Sequence, residues 1–241
     1  MTSAELLTEV RSRFDDAATP YLASDALILE QASLAEKEFA LATLALYGVS
    51  SGTITGNDPW VTLPSNLIVL KSVILNNVQL RPITASELDF GYYTLTTAEN
   101  TGRFDNWRAA TGTPKFVVTD MYPDKVRLVP YKTTSGSVSI EGYIYPTSLA
   151  IGASAVNPQI PAIYHELLVF GTLFRLSMQT DVDLYNPERV QLYSTTWYNG
   201  IAEAQNNLRT ALRRQVRVME LPRGFDFDVR GPRGNEQKAT Q

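Results

Sequence analysis

Apolar positions recur at spacings of three and four in four stretches of the chain, and tend toward alternation in the region between the second and third. The first helical stretch, residues 3–16, carries Leu6, Leu7, Val10 and Phe14 on one stripe, with Ser3 placed to cap it. Asp15–Asp16 and Thr19–Pro20 break it. The pattern resumes at Ser24–Asp25. There Leu27, Leu34 and Leu41 trace one face, and Ile28, Ala35, Phe39, Ala42 and Leu46 widen it. Gly48 and Ser50–Ser51–Gly52 predict the end of this second helix.

The third stretch, residues 158–178, organises the rest. Pro161 suits a first helical turn, where its missing N–H costs nothing. Tyr164, Leu167, Gly171, Phe174 and Met178 follow at helical spacing, and Ile163, Phe170, Leu173 and Leu176 broaden the face, so this helix expects neighbours on more than one side. Asp181–Val182–Asp183 and Asn186–Pro187 form a short break, which favours an antiparallel hairpin with the next helix. That helix, Pro187–Val216, aligns Val190, Tyr193, Trp197, Ile201, Ala204, Leu208 and Ala211. At about 45 Å it is long for one small domain and suits packing against a neighbouring subunit. Leu167, Phe174, Trp197 and Leu208 are expected to be buried in this frame.

Between residues 52 and 150 Thr, Val, Ile and Tyr rise, and Pro and Gly mark turns. Asn76–Asn77 suits a hairpin turn between Val73–Ile74 and Val78–Leu80. Ser86–Phe90 reads as a short turn or helix. Lys115–Val118 and Lys125–Pro130 form the clearest hairpin, and Val138–Tyr145 supplies another strand, with Gly136 in the turn before it. Residues 147–157 read as a connector. The fold class is α+β: a helical bundle with a long C-terminal helical hairpin, a central antiparallel β insertion and an extended C-terminal tail. The division is 1–50 and 151–216 for the helical body, 51–150 for the insertion and 217–241 for the tail.

The tail changes the picture most. LPRGFDFDVRGPRGNE holds three Gly and two Pro, too many for a regular helix, yet Leu221, Phe225, Phe227 and Val229 remain apolar. Such a segment orders against a partner or folds back on its own subunit. Net charge is −4 overall, but residues 209–241 carry +4 and the remainder −8. An acidic body with a basic tail suits head-to-tail oligomers or an acidic partner, and is unlike a general DNA-binding surface. The chain has no cysteine, which excludes disulfides and thiolate metal sites. No signal-peptide pattern opens it, and no apolar run reaches membrane-spanning length.

Candidate chemistry is sparse. His165–Glu166 invites a zinc-hydrolase reading, but Leu167–Leu168–Val169 follow where the second histidine would stand. A packing role is therefore expected for His165, with no metal and no cofactor. Asp181 and Asp183 lack the surrounding calcium-loop pattern. Asp226 and Asp228 alternate with Phe225 and Phe227, which suits charge pairing with a partner better than acid–base work. No phosphate-binding glycine loop precedes a helix, and no nucleophile elbow is present. Tyr92, Tyr93, Trp107, Tyr122, Tyr143 and Tyr145 suit a small β core, or alternatively a glycan-binding face. Arg209, Arg213 and Arg217 share a helix face, with Arg214 beside it, and suit an acidic protein or phosphate. The expectation is a non-enzymatic assembly protein.

Several segments carry a family resemblance. They are Asp15–Asp16 with Pro20–Tyr21, Ser24–Asp25 and Leu27, then Lys125–Val126–Arg127–Leu128–Val129–Pro130, then Tyr143–Ile144–Tyr145–Pro146. Ile160–Pro161, Tyr164–His165, Leu168–Val169 and Gly171 follow, and then the long helix after Asp181. In this order the chain resembles the head–tail adaptor, or head-completion, proteins of tailed bacteriophages. The resemblance implies a virion protein at the head–tail junction, assembled in the host cytoplasm. It implies a homo-oligomeric ring of twelve subunits between the portal and another neck or tail protein, with DNA passing through its channel and no membrane. It also assigns the tail to the portal. Phe225, Phe227 and Val229 would fill pockets, and Arg223, Arg230 and Arg233 would meet acidic groups. Arg217 and Leu221 belong to the same segment. The large β insertion departs from the smallest, mostly helical adaptors. Rival assignments are a neck stopper, a tail terminator or a carbohydrate-binding virion module.

Overall fold

The computed structural model describes residues 1–16, 19, 21–90, 94–97, 100–103, 107–179 and 187–218. The first helix, α1, spans Ser3–Phe14. Its cap is Thr2, one residue before the serine expected from sequence. Thr2 and Glu5 form a reciprocal capping box. Ser3 instead turns inward, donating its Oγ–H to the Val156 carbonyl at 2.5 Å and its N–H to Asn157 at 3.0 Å. Helix α2, Asp25–Thr43, begins on Ser24 as expected. It ends earlier than Gly48, because Leu44 itself adopts the left-handed conformation (φ 53°) that closes the last turn.

The buried face of α2 also differs from the leucine stripe. Ile28, Leu29, Ala32, Ala35 and Phe39 are buried, whereas Leu34 and Leu41 are exposed and Leu27 is half-buried. Alanines on the inner face let neighbouring helices approach closely, and Leu34 and Leu41 are left on the outside.

After α2 the chain enters the β region. Its strands are β1 (Tyr47–Ile54), β2 (Trp60–Thr62), β3 (Leu67–Leu75), β4 (Val78–Gln79) and β5 (Arg81–Ile83). A short helix α3 (Ala85–Asp89) precedes β6 (Thr94–Thr97), β7 (Asn100–Arg103), β8 (Phe116–Val118), β9 (Lys125–Val129) and β10 (Gly136–Ile144). Gly136 opens β10 rather than belonging to the turn. One sheet runs β1-β10-β3-β4 and a second β2-β9-β8-β5, while β6 and β7 form a separate hairpin. All pairs are antiparallel except β5 with β8. The β3–β4 turn falls on Asn76 and Asn77, at φ 49° and 65°, the left-handed pair that a two-residue hairpin needs. The two larger sheets enclose a core of Ile54, Val61, Val73, Leu128, Val138 and Ile140 among others. The outer face of the second sheet packs Phe116, Val118 and Val129 against Leu88 of α3 and Trp107.

The chain returns through residues 145–161 to a short 3-10 turn, Ala162–Tyr164, and helix α4, His165–Ser177. Pro161 caps the 3-10 turn rather than standing inside the α-helix. Helix α4 touches α1, α2 and the final helix, α5, Pro187–Val218. Leu168, Val169, Leu173, Phe174 and Leu176 are buried, while Ile163 and Met178 are exposed. On α5, Tyr193, Trp197, Ile201 and Ala204 are buried, as their spacing predicts. Leu167 and Leu208 are half-buried rather than enclosed.

Candidate assembly interface

The helical frame is pinned by a few polar side chains. Arg11, on α1, is buried and bridges Asp16 at 2.8 Å and Asp25 at 2.5 Å, and also donates to the Ala23 carbonyl at 2.9 Å. Asp16 in turn accepts the backbone N–H groups of Leu22 and Ala23. The Tyr21 ring lies 3.6 Å from the guanidinium carbon. Asp16, Tyr21 and Asp25 thus gather on Arg11 and hold the end of α1 to the start of α2, while Asp15 pairs with Arg189 of α5 at 2.8 Å.

The connector before α4 lacks a sheet to satisfy its backbone, so side chains of α2 do so. Ser33 Oγ accepts the Leu149 N–H at 2.8 Å. Glu36 is enclosed and accepts the N–H groups of Gln159 and Ile160 at 2.5 and 3.1 Å, leaving its second oxygen without a partner. Burial raises the Glu36 carboxyl above its ordinary range, and the two backbone donors only partly oppose this. A raised folded-state pKa contributes stability that is complete below the unfolded carboxyl value, about 4.3, and is lost as pH rises through the folded value. Urea unfolding across a pH series should show this decline in the wild type, and Glu36→Gln should remove it. A parallel pH dependence in the variant would refute the assignment.

His165 sits at the start of α4 with both ring nitrogens engaged. One lies 2.9 Å from the Ile160 carbonyl and the other 3.2 Å from the Met1 amine. Glu166 pairs with Arg13 at 3.1 Å. The histidine fastens the start of α4 to the N-terminus. Among the described residues no cluster of His, Asp and Glu is arranged to hold a metal. Asp181 and Asp183 lie outside the described residues.

The face between α4 and α5 is close-packed at two glycines. A Cβ on Gly171 would stand 2.7 Å from the Trp197 ring, and one on Gly200 would strike the Leu167 side chain. Away from this contact α5 exposes Leu192, while Tyr198 is half exposed with its ring edge-on to Phe174 at 5.7 Å. From Val190 to Leu208 this helix carries one charged residue, Glu203. Of the arginines read as a contact row, Arg209 is exposed at the end of the packed part. Arg213, Arg214 and Arg217 follow within α5. Leu221, Arg223, Phe225, Phe227, Val229, Arg230 and Arg233 lie outside the described residues.

The aromatic set separates. Tyr143 is on β10, edge-on to Tyr47 at 5.9 Å. Trp107 and Tyr122 belong to the second sheet's side, and Trp107 donates its Nε1–H to Asp89 at 2.8 Å. Tyr92 and Tyr93 lie outside the described residues. The four that are described do not share one face. Sequence reading passed over Trp60, which the fold sets against Tyr122 at 5.0 Å. The alternation of Lys125 and Arg127 with Val126 and Leu128 was the available signal.

Residues 1–219 match the model of the SU10 adaptor protein family. The chain belongs to this family of head–tail adaptors of tailed bacteriophages, and its role is structural. No curated protein matches it.

Proposed function

We propose that twelve copies of this chain close into a ring between the portal and another neck or tail protein, with DNA passing through the channel. The observation that carries this reading is α5. The helix is held to the body by Tyr193, Trp197, Ile201 and Ala204, then continues ten residues beyond Leu208, about 15 Å. From Val190 to Leu208 it carries one charged residue and exposes Leu192, a composition suited to a neighbouring copy. The tail that follows supplies the portal contact: Leu221, Phe225, Phe227 and Val229 as anchors, and Arg217, Arg223, Arg230 and Arg233 as partners of acidic groups. The ring assembles in the host cytoplasm and remains in the virion at the head–tail junction.

Deleting residues 217–241 tests the reading. Helix content and melting temperature should stay close to wild type, while co-sedimentation with purified portal rings should disappear. Wild-type affinity in the truncated protein would overturn the role given to the tail. Electron images of the full chain mixed with portal should show attached rings, and unattached monomers would overturn the ring.

A further inference from the structure

The β sandwich has an open seam. Strand β1 ends one sheet and β2 ends the other, each paired on one side only. Between them lies a cleft of about 270 Å³, with Ile54, Val61, Val138 and Ile140 among its lining. Along β2 the backbone groups of Val61, the Pro59 carbonyl and the Leu63 N–H face β9 or the loop before it. The alternate residues Trp60 and Thr62 therefore turn their carbonyls, and Thr62 its N–H, toward the open side. Strand β1 is eight residues of uncharged sequence without proline, the kind of edge that proteins otherwise protect.

Beside this seam, on the outer face, runs a strip of cations and aromatic rings. Lys125 Nζ lies 4.5 Å from the Tyr122 ring centre and 5.1 Å from that of Trp60. The Arg127 guanidinium lies 5.1 Å from Trp60 and 5.6 Å from Trp107. Arg108 pairs with Asp89 at 2.9 Å. Lys125 and Arg127 have no carboxylate partner among the described residues, and Arg127 Nε is buried without an acceptor. Burial and the neighbouring Arg108 depress the Arg127 guanidinium, so an arriving carboxylate would be favoured.

We propose that this seam is the docking site of the chain's own segment Phe225–Val229, which adds a strand to β2 in the unassembled protein. The segment reads Phe-Asp-Phe-Asp-Val. Extended, it places Phe225, Phe227 and Val229 on one face and Asp226 and Asp228 on the other. Laid against β2, the apolar face enters the cleft and the carboxylates reach the strip. The two carboxylates repeat every second residue, about 6.8 Å, as do Lys125 and Arg127 on β9.

The direction of α5 brings the segment to the right side of the molecule. Phe39 lies 6.4 Å from Trp197, and Gln205 donates to the Ala42 carbonyl at 2.7 Å, so α2 and α5 run in the same sense. Helix α5 thus leaves the body past the end of α2, where β1 begins. The seven residues from Val218 to Phe225 can add up to about 24 Å of reach. The docked segment hides the same apolar residues that the portal reading uses, and a portal would have to displace it. The site itself does not depend on that reading.

Hydrogen exchange on the isolated full-length protein tests the proposal without any portal. The Thr62 amide, the β2 N–H that faces the open side, should exchange about tenfold more slowly in the full chain than in a chain ending at Val218. Asp226→Lys with Asp228→Lys should abolish the protection, and these changes lie in the tail, where they do not threaten the fold. Adding Lys125→Glu to the reversed tail should restore part of it. Equal exchange of the Thr62 amide with and without the tail would overturn the proposal. Protection that appears only as protein concentration rises would overturn the intramolecular site.

Discussion

Replacing Trp197 with alanine should cost about 3–5 kcal/mol, the range for removing a large enclosed aromatic. The ring is fully buried, contacts Phe39, and fills the space left by Gly171 on the facing helix. The surrounding positions lie on helices that converge on α4 and pack tightly, which limits collapse into the cavity. Trp197→Phe should cost much less. It retains most of the ring volume and removes an indole N–H that has no acceptor. Urea denaturation of both variants checks this. A loss below about 1 kcal/mol for the alanine variant would show that the α4–α5 contact is not the centre of the frame.

Arg11→Met should be comparably damaging, about 3–5 kcal/mol, because it leaves the Asp16 carboxylate enclosed without its counter-charge. The backbone donors of Leu22 and Ala23 remain, but they do not neutralise a full charge. Arg11→Lys should not restore stability. One ammonium cannot reproduce the planar fork that meets Asp16, Asp25 and the Ala23 carbonyl together. The double change Arg11→Met with Asp16→Asn should recover part of the loss. Thermal melts of the three variants discriminate the outcomes, and additive losses in the double variant would refute the coupling.

The elements that were legible in the sequence are those whose signals are local. Asn76–Asn77 specified its turn because few other residues tolerate two successive left-handed conformations. The α5 face was legible because its apolar spacing persists over many turns. The buried face of α2 was legible in part: Ile28, Ala35 and Phe39, read as widening it, are buried, whereas the heptad-spaced Leu34 and Leu41 are exposed and Ala32 stands in the core. The end of α2 was missed because Leu44, not a glycine, takes the left-handed turn. The Arg11 clamp and the strip around Trp60 join residues distant along the chain, and no periodicity announces such pairings. Gly136 shows a smaller miss of the same kind: its pairing partner, Ile54, decides that it is strand.

The base of the β region has a consequence for how this architecture can vary. Tyr47, its first strand residue, pairs with Tyr143 near its last, and Leu46 accepts the N–H of Ile144 at 3.1 Å. To the helical frame, residues 47–143 are therefore a single loop closed by a short two-stranded stem. The entropy of closing such a loop grows only with the logarithm of its length, about 0.6 kcal/mol for each doubling. The frame is thus nearly indifferent to what the stem carries. A chain that replaced everything beyond the stem with a tight hairpin, or with a larger graft, would ask the four helices to change almost nothing.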